Sequence, residues 1–236
     1  MSLLTRLFRP SVELPPPLAQ RLAAWRDQPP AEERAPLTEA SFVLVDVESS
    51  GLDARRDRLL AIGACRLERL RLRTGGGFER ILYHEEASSR ENILVHGIAP
   101  GEQASGVAPD AALMDFLEFA GRYVLVAYHA PFDRTLLDRA TREHLGVRLT
   151  NPWIDLAYLA PALFPEARLP RAGLDDWFQY FDIRVRARHR ALDDVLATGE
   201  LFLILLKRAQ ARRVATLGAV LAAAEAQHRA MVAGGL

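Results

Sequence analysis

Cysteine is all but missing from this chain: Cys65 is the single one, set within an apolar stretch. One thiol excludes an intramolecular disulfide and any cysteine-based zinc cluster, and it fits a reducing, cytoplasmic setting. Lysine is equally scarce, Lys207 being alone among 30 basic residues, and the rest are arginine. Net charge is absent as well, since 30 acidic residues balance the 30 basic ones. No global field therefore draws the protein to nucleic acid or to an anionic membrane, and any such contact must be local. Apolar runs such as LATGELFLILL are too short or too interrupted to span a bilayer, so no membrane association is expected. The first residues lack the apolar core and cleavage site of a signal peptide.

What the chain does have is enough apolar material for a core, half of its 236 residues being hydrophobic. Residues 1–39 are proline-rich, with a short helical candidate at 18–26, and read as an arm that Trp25 can dock. From Ser41 the pattern changes to β-branched runs: FVLVDVE, then RLLAIGACRL, then FERILYH after a glycine turn at 75–77. These predict an antiparallel meander. A helix over 110–120, a strand in YVLVAY and a helix opened by Pro131 follow, with Gly146 marking its end. Further helices are expected at 155–163, at 174–181 and from about 191 onward, the last broken near Arg212. This order predicts an α/β layered domain with a mixed sheet flanked by helices, over 40–212, followed by a C-terminal helical tail at 213–236.

Two acids stand at the end of the first apolar run. Alternate residues of a strand share a face, so Asp46 and Glu48 point the same way with Cβ atoms about 7 Å apart. Two carboxylates so placed resist desolvation unless a cation or several donors compensate them. A divalent metal would do so; capping of the following SSGLD turn is the alternative from these residues alone. Asp133 falls in the first turn of its helix, where the dipole favours an acid in any case. Asp194 lies early in the long helix, and His189 can converge on it only from the loop before that helix. Asp193, about 100° around the helix from Asp194, reads as a solvated acid.

Together these segments resemble the DEDDh 3′-to-5′ exonucleases, the superfamily of the proofreading epsilon subunit of DNA polymerase III. The similarity covers roughly residues 40–205. It rests on Asp46-Val47-Glu48-Ser49-Ser50-Gly51 against DxETTG, on Tyr128-His129-Ala130-Pro131-Phe132-Asp133 against HNAxFD, and on His189 to Asp194 against HxAxxD. Val95-His96-Gly97-Ile98 is similar to the family's HGI segment.

The resemblance implies a ribonuclease H-like three-layer fold with a five-stranded mixed sheet. It implies that Asp46, Glu48, Asp133 and Asp194 hold two Mg²⁺ or Mn²⁺ ions and that His189 is the general base. It further implies that Ser49, Ser50 and Gly51 meet the terminal nucleotide's sugar and that Leu52 wedges against its base. Phe132 and His96 are expected near that nucleotide, with core packing and capping of the HGI turn as their respective alternatives. For Gly51 the other reading is a positive-φ turn position. From their spacing, Arg184, Arg186, Arg188 and Arg190 alternate toward His189 as a candidate phosphate track, with a solvated edge as the default reading.

Two departures stand out. Tyr128 and His129 occupy the places where the family usually has His and Asn, which bears on substrate preference, and Ser49 and Ser50 replace threonines. Asp155 is expected to cap a helix or to support the site from behind. The expected substrate is single-stranded or unpaired DNA, with RNA or short oligonucleotides as the alternative. A second alternative makes the chain a partner-bound module, docking a protein through the N-terminal arm or the C-terminal helix, with catalysis secondary.

Overall fold

The computed structural model describes residues 12–73, 75–185 and 191–234. His189, with Arg186, Arg188 and Arg190, lies outside the described residues; Arg184 is exposed.

The first long strand, β1 (Ser41–Ser49), alternates faces along its length. Phe42 and Leu44 enter one hydrophobic core while Val43, Val45 and Val47 enter another, so both sides of the sheet are covered. β2 (Leu59–Glu68) pairs antiparallel with it along its full length. The outer edge of β2 is then occupied twice: β3 (Arg71–Leu72) pairs with Leu67 and Glu68, and β4 (Phe78–Ile81) pairs with Ala61 to Ala64. β5 (Val124–Ala127) and β6 (Trp153–Asp155) continue the sheet in parallel on the other side of β1. The sheet thus has the expected five positions, and among the described residues the outermost one holds two short strands, β3 and β4. The glycine turn at 75–77 divides the outermost position into two short strands, because glycine neither packs a side chain nor favours extended backbone.

Helices cover both faces, giving the three-layer α/β architecture of ribonuclease H-like proteins. On one side lie α1 (Pro16–Arg26), α4 (Pro109–Ala120) and α5 (Pro131–His144), which bury Leu22, Trp25, Phe116, Leu136 and Leu137. On the other lie α6 (Leu156–Leu163), α7 (Leu174–Tyr180), α8 (Ala191–Ala211) and α9 (Leu217–Ala233). α1, α4 and α5 each carry proline within the first two helical positions, where its fixed φ suits the helix and no N–H is missed.

Residues 16–26 of the N-terminal arm are part of this packing. Trp25 is 2 % exposed and its indole N–H donates to the carbonyl of Gly121 at 3.0 Å. Arg21 bridges Asp115 and Glu118 of α4. α9 likewise buries Leu217, Val220 and Ala224 in the core around α6 and α8. Two short helices in the β4–α4 connection, α2 (Arg90–His96) and α3 (Pro100–Ala104), had no counterpart in the sequence reading. Among the described residues no helix is long and apolar enough to cross a membrane.

Candidate active site

Asp46 and Glu48 continue the face of β1 that carries Phe42 and Leu44. The register between β1 and β5 covers only Phe42 to Leu44, so beyond Leu44 the strand runs on beside β2 alone. That leaves an opening at the C-terminal ends of the parallel strands, where the open sheets of α/β folds place their ligands. A register shift between Glu48 and Ser49 ends the regular pairing and turns the chain into the next loop.

α8 crosses the same face and brings Asp194 in from the far end of the sequence. Its approach depends on Gly63, which pairs with Asp46 across the β1–β2 ladder. A Cβ built on Gly63 would stand 2.4 Å from the carbonyl carbon of Ala191 and 2.6 Å from its Cβ. Only glycine lets the first turn of α8 lie this close to the strand. The result is that oxygens of Asp46, Glu48 and Asp194 all lie within 4.8 Å of one another.

Asp133 arrives from the opposite layer, in the first turn of α5, and is 5 % exposed. Burial raises its carboxyl well above the usual range, and the neighbouring Asp46 raises it further, while backbone N–H groups of Asp133 and Val47 partly offset both. A carboxyl so placed is either protonated or paired with a cation. The oxygens of Asp46, Glu48 and Asp194 form a hard donor set, which suits a hard divalent cation better than a soft one.

The start of α5 is fixed by Asp155, the last residue of β6. One of its oxygens accepts from the N–H of Ala157, capping α6, and from the N–H of His129, both at 2.9 Å. Burial raises the Asp155 carboxyl. His129 is exposed and held at φ 59°, a conformation uncommon for a residue with a side chain. Its ring meets Tyr128 edge-on at 4.9 Å, and the Tyr128 hydroxyl donates to the carbonyl of Ala172. Burial pushes the Tyr128 phenol upward, so it acts as a neutral donor.

The loop after β1 presents Leu52, which is 95 % exposed. Ser49 Oγ donates to the Gly51 carbonyl at 2.6 Å, and Ser50 Oγ donates to Asp57 at 3.2 Å. Gly51 is not at positive φ, which corrects the turn-position reading. A Cβ there would lie 2.5 Å from Oδ2 of Asp57, so what the site requires is room for that carboxylate. Phe132 is partly buried against the core that holds α5. His96 is 3 % exposed: Nδ1 accepts from the N–H of Ile98 at 3.0 Å and Nε2 faces Ser88 Oγ at 2.9 Å. Of the two roles open to it, the structure displays the cap of the turn, and Gly97 beside it takes the left-handed C-cap of α2 at φ 69°. Burial lowers the His96 imidazole, consistent with a neutral ring.

The model of the RNase_T exonuclease family matches residues 43–202, from within β1 to the middle of α8. The chain belongs to this exonuclease family. It is 34 % identical over 189 residues to a DNA polymerase III subunit epsilon-like protein of Rhodobacter capsulatus, covering 79 % of this chain and 26 % of that protein. It is 33 % identical over 180 residues to the PolC-type DNA polymerase III of Bacillus subtilis, covering 73 % of this chain and 12 % of that protein. The chain thus spans about a quarter or less of these curated relatives. Among solved structures, Escherichia coli exonuclease I in complex with a dT13 oligonucleotide superposes with a TM-score of 0.62 at 19 % identity, covering 73 % of this chain and 42 % of that one. Exonuclease X in complex with 5′ overhanging duplex DNA superposes at 0.57 and 18 % identity, covering 72 % of this chain and 93 % of that one. These structural likenesses establish the fold.

The acids do not line the cleft that opens beside α5. A cleft of about 1200 Å³ lies between α5 and α9, with Pro131, Trp153, Asp155, Tyr158 and Leu221 in its wall and none of Asp46, Glu48, Asp133 or Asp194. The acids lie instead near the C-terminal end of β1 and in the first turns of α5 and α8.

Proposed function

We propose that the chain is a divalent-metal-dependent 3′-to-5′ exonuclease that removes nucleoside 5′-monophosphates from single-stranded or unpaired DNA ends, as a proofreading nuclease does. The observation that carries this reading is the meeting of Asp46, Glu48 and Asp194 within 4.8 Å, with the buried Asp133 close enough to Asp46 to feel its charge. Four carboxylates of one sign, gathered from two strand positions and two helices, are costly without cations. They are the residues that would hold a pair of Mg²⁺ or Mn²⁺ ions. Such ions, when bound, supply positive charge for an in-line displacement at phosphorus.

The chain's own groups divide the remaining work. Ser49, Ser50 and Gly51 lie next to the acids in sequence and offer hydroxyl and backbone groups to the terminal sugar. Leu52 and Phe132 offer apolar surface to the terminal base. His189, matched to the general base of the family's third motif, would accept the proton of the attacking water, a task suited to an imidazole near neutrality. The oligonucleotide bound to exonuclease I supports a DNA strand as substrate, and the polymerase III relatives support a polymerase assembly as protein partner.

The test is direct. Purified protein with Mn²⁺ or Mg²⁺ should shorten 5′-labelled single-stranded DNA stepwise, and Asp194→Ala or His189→Ala should stop it. Single-stranded DNA, mismatched duplex and RNA run side by side would rank the substrates, with RNA expected last. Undiminished activity of Asp46→Ala protein in chelator would overturn the mechanism.

A further inference from the structure

The loop between β1 and β2 is tied by hydrogen bonds on both sides of its exposed leucine. On the near side of Leu52, the Ser50 carbonyl accepts from the Asn92 side chain of α2. On the far side, the Asp53 N–H donates to the Asp57 carboxylate at 2.7 Å, the same carboxylate that fills the space left by Gly51. The loop is then clamped from α5: Arg139 donates to the carbonyl of Arg55 at 2.8 Å and to that of Asp57. A lone exposed leucine is ordinary on a protein surface. A leucine on a loop tied by one arginine to the helix that also carries Asp133 is a fixed feature, set at a defined place relative to the acids.

We infer that Arg139 is a positioning residue that holds Leu52 ready to cover the terminal base of a strand whose end lies at the acids. This rests on the proposed nuclease reading and adds to it the source of strand affinity. A loop whose backbone is already fixed before binding loses less conformational freedom on contact, so the apolar surface it presents contributes more fully to affinity. Arg139 would touch neither the strand nor the acids, and its whole effect would pass through the loop.

A double-mutant cycle tests the inference. Binding of a 5′-fluorescein-labelled oligothymidylate is measured by anisotropy in Ca²⁺ for the parent, Leu52→Ala, Arg139→Met and the double variant, with a thermal melt of each. Leu52→Ala should weaken binding about tenfold, in the range expected for one apolar side chain, without moving the melt. Arg139→Met should weaken binding by a similar factor, and the double variant should bind no worse than the weaker single one. Losses that multiply, an Arg139→Met protein that binds like the parent while melting earlier, or a parent that does not bind the strand at all would each overturn the inference. Should Arg139→Met fail to fold, Arg139→Gln, which keeps a donor for one carbonyl, takes its place in the cycle. Because binding is read without cleavage, an inactive parent that still binds counts against the proposed function and leaves the cycle readable.

Discussion

Replacing Gly63 by alanine should damage the site from beneath, without touching any acid. The added Cβ would meet the carbonyl carbon of Ala191 at 2.4 Å and its Cβ at 2.6 Å, whereas carbon atoms rest at about 3.5 Å or more. One partner must therefore retreat by about 1 Å. β2 cannot do so easily, because Gly63 is paired on both sides, with Asp46 of β1 and Glu79 of β4. The first turn of α8 moves instead and takes Asp194 with it. Overpacking of this kind costs about 1–3 kcal/mol, which at ~2–4 °C per kcal/mol lowers the melting temperature of a chain this size by about 2–12 °C. A displacement of about 1 Å at a reacting centre lowers the rate on the order of 100-fold. The assay is a thermal melt with and without Mn²⁺ beside cleavage of 5′-labelled single-stranded DNA. Pairing the change with Ala191→Gly should recover only part of both, since it removes the Cβ contact and leaves the backbone one. A folded Gly63→Ala protein with activity within twofold of the parent, and the parent's response to Mn²⁺, would refute the reasoning.

Cation binding should be visible in stability and should depend on pH with a definite sign. The Asp133 carboxyl, raised by burial and by Asp46, stabilises the cation-free fold below its ordinary value of 3.8, and that contribution is lost as pH rises through the raised value. A divalent ion requires the ionised form. Saturating Mn²⁺, at about 100 times its dissociation constant, should add ~2.7 kcal/mol and raise the melt by about 5–11 °C in mildly alkaline buffer, and less in mildly acidic buffer; an equal shift in both would contradict the assignment. Asp133→Asn should remove most of that shift while melting higher than the parent in cation-free neutral buffer, and a lower melt would count against the buried repulsion. Trp25→Ala, which empties a fully buried site and removes one of the two side-chain donors to the Gly121 carbonyl, should cost about 3–5 kcal/mol. A melt within a degree of the parent would show that the arm is not part of the folded unit.

The sequence carried the long elements and the order of the motifs because those are local facts. Alternation in FVLVDVE sets Asp46 and Glu48 on one face whatever lies above it, and Pro131 opens a helix whatever that helix packs on. The short elements were hidden for the same reason turned around. α2 and α3 span seven and five residues, too few for an apolar period to show, and are set by Ser89 and the left-handed Gly97 at the ends of α2. In WIDLA, Asp155 both ends a strand and caps the next helix, so a helical pattern begun at Asp155 conceals the three-residue β6 before it. Gly51 invited a conformational explanation from sequence, and its actual constraint, the Asp57 carboxylate packed where a Cβ would be, is visible only once the loop has closed.

Two residues show where local reading stops at the site itself. Asp133 is an ordinary first-turn acid by sequence, favoured by the dipole of its own helix. Its burial and the pressure from Asp46 come from the sheet it packs on, in which β5 stops beside Leu44 and leaves Asp46 next to the start of α5. Gly63 did leave a signal, since an isolated glycine within a strand marks close approach of another backbone. The identity of that backbone, the start of α8 far along the chain, is a tertiary fact. Asp194 reaches Asp46 and Glu48 because a missing side chain on the neighbouring strand lets its helix descend. The acids that define the chemistry are therefore legible as motifs, whereas the residue that permits them to meet is legible only as an absence.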